Sequence, residues 1–154
     1  MVKLSSLLSA TANILQLDKK IMFGFILKRN KLLNDSKLLG RWGEKRCEKF
    51  LKNKGMKTLA RNYSCRMGEI DLVMVDRDGT IVFVEVKARA DEKFAAVESA
   101  VDYPKQKKLA LTGRFFLSTN NISNRVCRFD VVTLLLAQKG PAQLHHYQRA
   151  FVPE

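Results

Sequence analysis

The sequence predicts a single α/β domain with a mixed β-sheet, and three observations lead to it. Apolar residues recur at helical spacing early in the chain, β-forming runs with turn signals follow, and a second helical stretch separates those runs from two more. The predicted elements, in chain order, are a helix at 38–53, strands at 57–63, 69–76 and 80–88, a short helix at 95–101, a helix at 104–117, and strands at 126–136 and 144–151. This order is typical of an α/β domain whose sheet is flanked by helices.

Local signals support the individual elements. Gly55 offers a C-terminal stop for the first helix, whose apolar positions are Leu39, Trp42, Cys47, Phe50 and Leu51. Asp78 and Gly79 mark the turn of a hairpin between the second and third strands. Pro104 suits the first turn of the later helix. Backbone N–H groups in the first turn have no partner within the helix, so a proline, which has no N–H, loses no hydrogen bond there. Residues 120–124 form a polar loop before the last two strands.

The chain divides by composition into two parts. Residues 38–154 are predicted to form the domain, which is long enough to bury a core without disulfides. Residues 1–37 are interpreted as an N-terminal extension. Either this extension is partly disordered, or the translation start is assigned too early and natural translation begins at Met22. Residues 22–31 join an apolar run to basic residues, which suits contact with a membrane surface or with nucleic acid. No run approaches the ~18 apolar residues of a membrane span, so we expect no membrane-spanning segment.

Charge and cysteine content restrict the class of protein. The net charge is +13, of which residues 1–37 carry +5 and the rest +8, so the domain is basic in its own right. A polyanionic partner such as nucleic acid fits this charge, although a solubilising surface would explain it equally well. The three cysteines are an odd number without a Cys-x-x-Cys pair, which disfavours a disulfide framework and a structural zinc site and indicates the cytoplasm.

The predicted hairpin carries charged residues inside apolar strands. Residues two apart on a strand share a face, so Glu69 lies with Asp71, and Glu85 lies with Lys87. A two-residue turn would place Asp71 and Glu85 on opposite faces of the sheet. A three-residue loop, 77–79, would place Asp71 directly opposite Glu85, and its last position requires a left-handed residue, which Gly79 supplies without steric cost.

Two carboxylates and a lysine on one sheet face suit divalent-metal phosphodiester hydrolysis. Mg²⁺ or Mn²⁺ takes oxygen ligands, which Asp71, Glu85 and the Val86 carbonyl would provide. Lys87 would orient the attacking water or stabilise the negative charge that develops on the phosphate. The alternative is a cross-strand salt bridge, but the flanking valines indicate a buried strand, where unneeded charge is costly.

Other charged residues have a functional and a structural interpretation. Glu44 lies at the border of the apolar face of the first helix, where it is either solvated or directed into a neighbouring site. Lys105 would contact phosphates or simply face solvent. Better candidates for the nucleic-acid backbone flank the proposed site: Arg61, Arg66 and Arg89.

Two further candidates are interpreted as structural. Asp130 lies in an apolar strand beside Arg128, where an ion pair is the expected role. His145 and His146 are adjacent on a strand and face opposite ways, so they are not expected to bind one metal together.

Five motifs give the chain a family resemblance. They are GRWGE at 40–44, ARNY at 60–63, GEID at 68–71, FVEVKAR at 83–89 and RFDVV at 128–132. In this order they resemble the YraN family of bacterial proteins, which are similar to Holliday-junction resolvases of the PD-(D/E)XK nuclease superfamily. The resemblance spans roughly residues 38–151 and departs from the superfamily at Ile70, where a proline is usual, and at Ala95, where a glycine is expected.

The resemblance implies a restriction-endonuclease-like core with Asp71 and Glu85 as metal ligands and Lys87 as the catalytic lysine. It also implies that Glu44 completes the metal site. The expected activity is Mg²⁺- or Mn²⁺-dependent hydrolysis of DNA, with branched DNA as a candidate substrate, and relatives of this kind suggest a homodimer. The alternative is a DNA-binding or scaffold module on a nuclease fold that does not catalyse.

Overall fold

The computed structural model describes residues 24, 26–90 and 101–153, which form a five-stranded sheet between helices. The strands are β1 (Lys57–Cys65), β2 (Gly68–Val75), β3 (Ile81–Arg89), β4 (Cys127–Leu135) and β5 (Gln143–Phe151), and they lie in the order β1-β2-β3-β4-β5. β3 and β4 are parallel, whereas the other neighbouring pairs are antiparallel. The predicted α/β class with a mixed sheet is therefore confirmed, and this architecture is consistent with a restriction-endonuclease-like core.

Three helices accompany the sheet in the described residues: α1 (26–34), α2 (Ser36–Asn53) and α3 (Tyr103–Thr119). α2 begins after Asp35, whose side chain accepts from the Leu38 N–H at 2.9 Å. The helix ends as the sequence predicted, because Gly55 has φ +96°, a left-handed conformation that glycine adopts without strain. α3 begins in the same way, with Asp102 as its N-cap and a proline in the first turn.

Two apolar cores hold the layers together, one on each sheet face. The first lies under α1 and α2 and includes Leu39, Cys47 and Leu51 against Leu72, Met74, Val82, Val84, Val132 and Leu134. The second lies under α3 and includes Leu109 and Phe116 against Val73, Phe83, Phe129 and Val131. Alternate positions of β3 thus serve different cores, which explains why its residues are buried from Ile81 to Glu85.

The N-terminal part of the chain contributes to the first core. Leu32 on α1 is 6% exposed and belongs to the apolar cluster under α2. Arg29 on the same helix donates to the Ala137 carbonyl through Nε at 3.1 Å and also through Nη2. α2 itself begins two residues before the predicted boundary at 37/38. Of the predicted helix at 95–101, only Val101 is among the described residues. No helix in the described part of the chain is long and apolar enough to span a membrane.

Candidate metal centre

The turn between β2 and β3 sets the register on which the site depends. Val75 pairs with Ile81 and Leu72 pairs with Val84, so the two strands are joined by an odd-length loop. The Asp76 N–H donates to the Thr80 carbonyl at 2.9 Å, which closes a loop of three residues, 77–79. Gly79, at the last position, has φ +85°, in the left-handed region that the sequence required. The predicted loop is confirmed, and the regular pairing of β2 with β3 ends at Leu72 and Val84, the neighbours of Asp71 and Glu85.

Asp71 is bound to the neighbouring strand through its side chain. Its Oδ2 accepts a hydrogen bond from the Val86 N–H at 2.6 Å, just beyond the last paired residues of β2 and β3. The N–H and C=O of one strand residue point toward the same neighbour. By this rule the Val86 carbonyl faces the same gap as Asp71, and its role as a metal ligand stays a prediction.

Glu85 is buried, and its two oxygens differ. The residue is only 4% exposed. Oε1 lies 2.8 Å from Lys87 Nζ and 3.2 Å from Lys105 Nζ. Oε2 is buried too, yet it has no hydrogen-bond partner among the described residues. A buried carboxylate oxygen without a partner is costly, so it marks a place where a further ligand would stabilise the protein.

Burial and a neighbouring carboxylate disfavour the charged form of Asp71. The pKa of Asp71 is raised from 3.8 to about 7, first because burial disfavours the charged form and next because the Glu85 charge lies near it. The Val86 N–H works in the opposite direction, the charge of Glu44 raises this pKa further, and Lys105 lowers it. A bound cation would reverse this balance, because it would favour the ionised form of Asp71.

Helix α2 brings Glu44 toward this centre through a close glycine contact. A Cβ added at Gly43 would lie 2.6 Å from Ala88 Cβ, so only glycine lets the helix approach β3 this closely. The Glu44 charge raises the pKa of Asp71, and it also contributes to that of Cys47, which burial, Asp71 and Glu44 together raise to about 12. Within the described residues, however, no three carboxylate, imidazole or thiol groups converge as a metal cluster. The charge of Glu44 thus reaches the two carboxylates of the centre, and its role as a metal ligand stays a prediction.

Lys105 has a different environment from the one that the sequence suggested. The sequence left phosphate contact and solvent exposure open for this lysine, and the structure places its Nζ 3.2 Å from Glu85 Oε1. Its role in phosphate contact stays a prediction. Asp102 caps the helix at this point and Lys105 is its N3 residue, whose N–H donates to Asp102 Oδ1 at 2.9 Å. The capped start of α3 thus positions a second lysine in the centre. The sequence signal, an aspartate three residues before the lysine, identifies the helix start but not the sheet residue opposite it.

The three arginines predicted at the nucleic-acid backbone differ in their surroundings. Arg61 is bound by Glu48 in a two-pronged ion pair, at 2.7 Å and 2.9 Å, which joins β1 to α2. Hydrogen bonds from Arg61 and also from Lys52 and Thr58 lower the pKa of Glu48 to about 2. Arg66 and Arg89 are exposed. The structure thus gives Arg61 a structural partner, which the sequence analysis missed because Glu48 lies thirteen residues away.

The residues interpreted as structural form a buried network, as predicted. Asp130 is 1% exposed and accepts from Arg128 Nε at 3.1 Å on both of its oxygens. His146 Nε2 lies 2.8 Å from Asp130 Oδ2, and the Arg149 N–H donates to Oδ1 at 3.0 Å. His145 is exposed, so the two adjacent histidines do face opposite ways.

Comparison with known proteins agrees with the sequence motifs. The profile of the uncharacterised protein family UPF0102 matches residues 43–134, which include every residue of the centre described above. A UPF0102 protein of Pelotomaculum thermopropionicum is 39% identical over 116 residues, which cover 75% of this chain and 96% of the relative. A UPF0102 protein of Clostridioides difficile is 36% identical over 117 residues, covering 76% of this chain and 99% of the relative. The resemblance to the YraN family, which is UPF0102, is confirmed.

Proposed function

The chain belongs to the uncharacterised protein family UPF0102, and we propose that it is a metal-dependent endonuclease that hydrolyses phosphodiester bonds in DNA. The observation that carries this proposal is the buried Oε2 of Glu85, which has no hydrogen-bond partner in the described residues. It belongs to the same carboxylate whose other oxygen binds two lysines. Asp71, with its raised pKa, lies beside it.

The donor atoms at this centre fit Mg²⁺ or Mn²⁺. All three are oxygens, from Asp71, Glu85 and the Val86 carbonyl, and hard divalent cations prefer oxygen ligands with one or two carboxylates among them. The absence of a cysteine or histidine from this set disfavours zinc. Glu44 would add negative charge near the ion without being required as a direct ligand. When bound, the ion would lower the pKa of a coordinated water and neutralise charge on the phosphate.

The two lysines of the centre would stabilise charge on the phosphate and orient Glu85. The ammonium group of Lys87 lies 2.8 Å from Glu85 Oε1, and the Lys87 side chain is 22% exposed, which would let it reach a substrate phosphate. From this position it would donate to a phosphate oxygen as negative charge develops there. Lys105 holds the same carboxylate oxygen from α3, at 3.2 Å. This second contact would keep the Glu85 side chain oriented when Lys87 turns toward the substrate.

The substrate and assembly follow from charge and from the family resemblance. A net charge of +13 suits a polyanion, and the likeness to Holliday-junction resolvases makes a four-way DNA junction the first branched substrate to test. Symmetric cutting of two strands would require two centres, hence a homodimer. We place the protein in the cytoplasm, where its three free cysteines would stay reduced.

A cleavage assay tests this function directly. Purified protein is incubated with plasmid, linear duplex, single strand and four-way junction, with Mg²⁺, with Mn²⁺ and with EDTA. We expect metal-dependent cleavage that Asp71→Asn, Glu85→Gln and Lys87→Ala each reduce at least ~100-fold, while salt-sensitive DNA binding remains. Glu69→Gln is the matched control, because Glu69 is an exposed carboxylate on the same strand as Asp71.

Two other results would contradict the proposal. Cleavage that survives all three substitutions would come from a contaminant or from another centre. DNA binding without cleavage of any substrate, in either metal, would favour the non-catalytic binding module.

A further inference from the structure

A cationic groove lies between α1 and α2, outside the metal centre. Its volume is about 390 Å³, and its basic residues are Lys28 and Lys31 from α1 and Arg41 and Lys45 from α2, around the side chain of Trp42. All four basic residues are exposed, whereas Trp42 is partly buried and packs against the first core. The groove thus combines exposed positive charge at its rim with a partly buried aromatic ring inside.

The charge in this groove is not compensated by the part of the protein that the structure describes. None of the four basic residues takes part in an ion pair with a described carboxylate. Three acids lie close to these residues in sequence. Asp35 caps α2 through the Leu38 N–H, Glu48 pairs with Lys52 and Arg61, and Glu44 forms no ion pair with Arg41 or Lys45. Like charges three or four residues apart on a helix repel, which is the spacing within each pair here. An anionic ligand would relieve that repulsion.

The walls of the groove are held in place by contacts on its other side. Leu32 anchors α1 in the first core, and Arg29 binds the Ala137 carbonyl. Gly43 fixes α2 against Ala88. Arg46 holds its guanidinium 5.6 Å from the centroid of the Trp42 ring. Basic side chains that interleave with an aromatic ring are the common features of single-strand binding sites, where bases stack and phosphates meet cations.

We propose that the cationic groove binds a single-stranded nucleic-acid segment, with its phosphates on the four basic residues and a base against Trp42. Its concave shape favours a chain-like polyanion over a flat bilayer surface. Arg41 precedes Glu44 by one helical turn, so a strand leaving the groove along α2 would reach the edge of the metal centre. This binding goes beyond the proposed hydrolysis and does not depend on it.

Trp42 provides a direct measurement, because it is the only tryptophan of the chain. The full-length protein is titrated in EDTA with an oligothymidylate of about 16 nucleotides, the upper end of common single-strand site sizes. We expect the tryptophan fluorescence to be quenched upon binding, and the affinity to fall with salt. Since EDTA prevents hydrolysis, this result stands or falls separately from nuclease activity.

Charge removal then locates the site. Lys31→Gln combined with Lys45→Gln should weaken binding roughly 20-fold at ~0.1 M salt and reduce the salt slope by about 1.4, as expected when two phosphate contacts of a single strand are lost. The matched control combines Lys57→Gln with Arg125→Gln, two exposed residues near the opposite end of the sheet, and should bind like the wild type. Trp42→Phe has no tryptophan fluorescence, so its affinity is measured from the anisotropy of a labelled oligonucleotide. The variant keeps an aromatic ring and should bind within a few-fold of the wild type.

Three outcomes would overturn the proposal. The first is binding without any change in Trp42 fluorescence. The second is an equal loss of affinity in the groove variant and the control. The third is preferential binding of the wild type, and not of the groove variant, to vesicles that contain anionic lipid, which would assign the groove to a membrane surface.

Discussion

Replacing Asp71 with asparagine should stabilise the metal-free protein, even though it destroys the proposed centre. Asparagine keeps an oxygen that can accept from the Val86 N–H and removes the charge that burial and Glu85 disfavour. The folded-state pKa of Asp71 lies above its ordinary value, so between about pH 4 and pH 7 the native state binds more protons than the unfolded chain. The wild type therefore loses stability as the pH rises through this window, and the asparagine variant does not.

The size of the effect follows from the pKa. A rise from 3.8 to about 7 is about three pKa units, and each corresponds to about 1.4 kcal/mol, which sets an upper limit of about 4 kcal/mol. Asp71 keeps some solvent exposure and its ionisation is coupled to that of Glu85. We therefore expect Asp71→Asn to raise the free energy of unfolding by about 2–4 kcal/mol at about pH 8, and by almost nothing at about pH 4.

Urea unfolding in EDTA across this pH range measures the difference, with Glu69→Gln as a control for removing one carboxylate from the same strand. Adding Mg²⁺ or Mn²⁺ at pH 8 should then stabilise the wild type but not Asp71→Asn, because only the wild type offers the ionised ligand. The reasoning is refuted if the asparagine variant is no more stable than the wild type at pH 8 without metal. It is equally refuted if metal stabilises both proteins by the same amount.

Two further substitutions test how α2 is attached to the sheet. Gly43→Ala would place a Cβ 2.6 Å from Ala88 Cβ, well inside ordinary contact, so we expect a loss of about 1–3 kcal/mol in urea unfolding and weaker cleavage as the helix moves. Gly40→Ala is its matched control, because an added Cβ there meets nothing within 4 Å. Glu48→Gln should lower the melting temperature at neutral pH, because Arg61 and its other partners lower the pKa of Glu48 to about 2. That stabilisation is lost as the pH falls from 4.5 to about 2, so thermal melts of the two proteins should converge there, and a constant gap would contradict the assignment.

The main elements of the fold could be predicted because their signals are local. The helical spacing and Gly55 predicted a helix at 38–53, and α2 spans Ser36–Asn53 because Asp35 caps it two residues earlier. Pro104 predicted the start of α3, which the structure places at Tyr103. Gly79 permitted a three-residue loop, and the interpretation of Asp71 and Glu85 as one site required it, since a one-residue change in the loop would reverse the faces of every side chain that follows.

Contacts between distant elements could not be predicted in the same way. Composition places residues 26–34 in the N-terminal extension, yet Leu32 is buried in the apolar core that α2 shares with the sheet. Likewise, the meeting of Lys105 with Glu85 depends on how closely α3 approaches β3. That distance is set by a contact in the core, where a Cβ added at Gly113 would lie 3.1 Å from the Phe83 ring. Such distances belong to tertiary packing, which no local pattern specifies.

Two buried carboxylates of this protein, Asp130 and Glu85, differ in how completely their oxygens are hydrogen-bonded. The difference distinguishes a structural ion pair from a proposed metal ligand. Asp130 is 1% exposed and both of its oxygens have partners, which include Arg128, His146 and a backbone amide. Glu85 is almost as buried, at 4% exposed. Both of its lysine partners bind Oε1, and Oε2 has no hydrogen-bond partner in the described residues. A fold that satisfies one buried carboxylate completely has no structural reason to leave another incomplete beside Asp71, whose pKa is already raised by burial and by the Glu85 charge. This contrast favours a missing cation over an imperfect salt bridge as the explanation of Glu85.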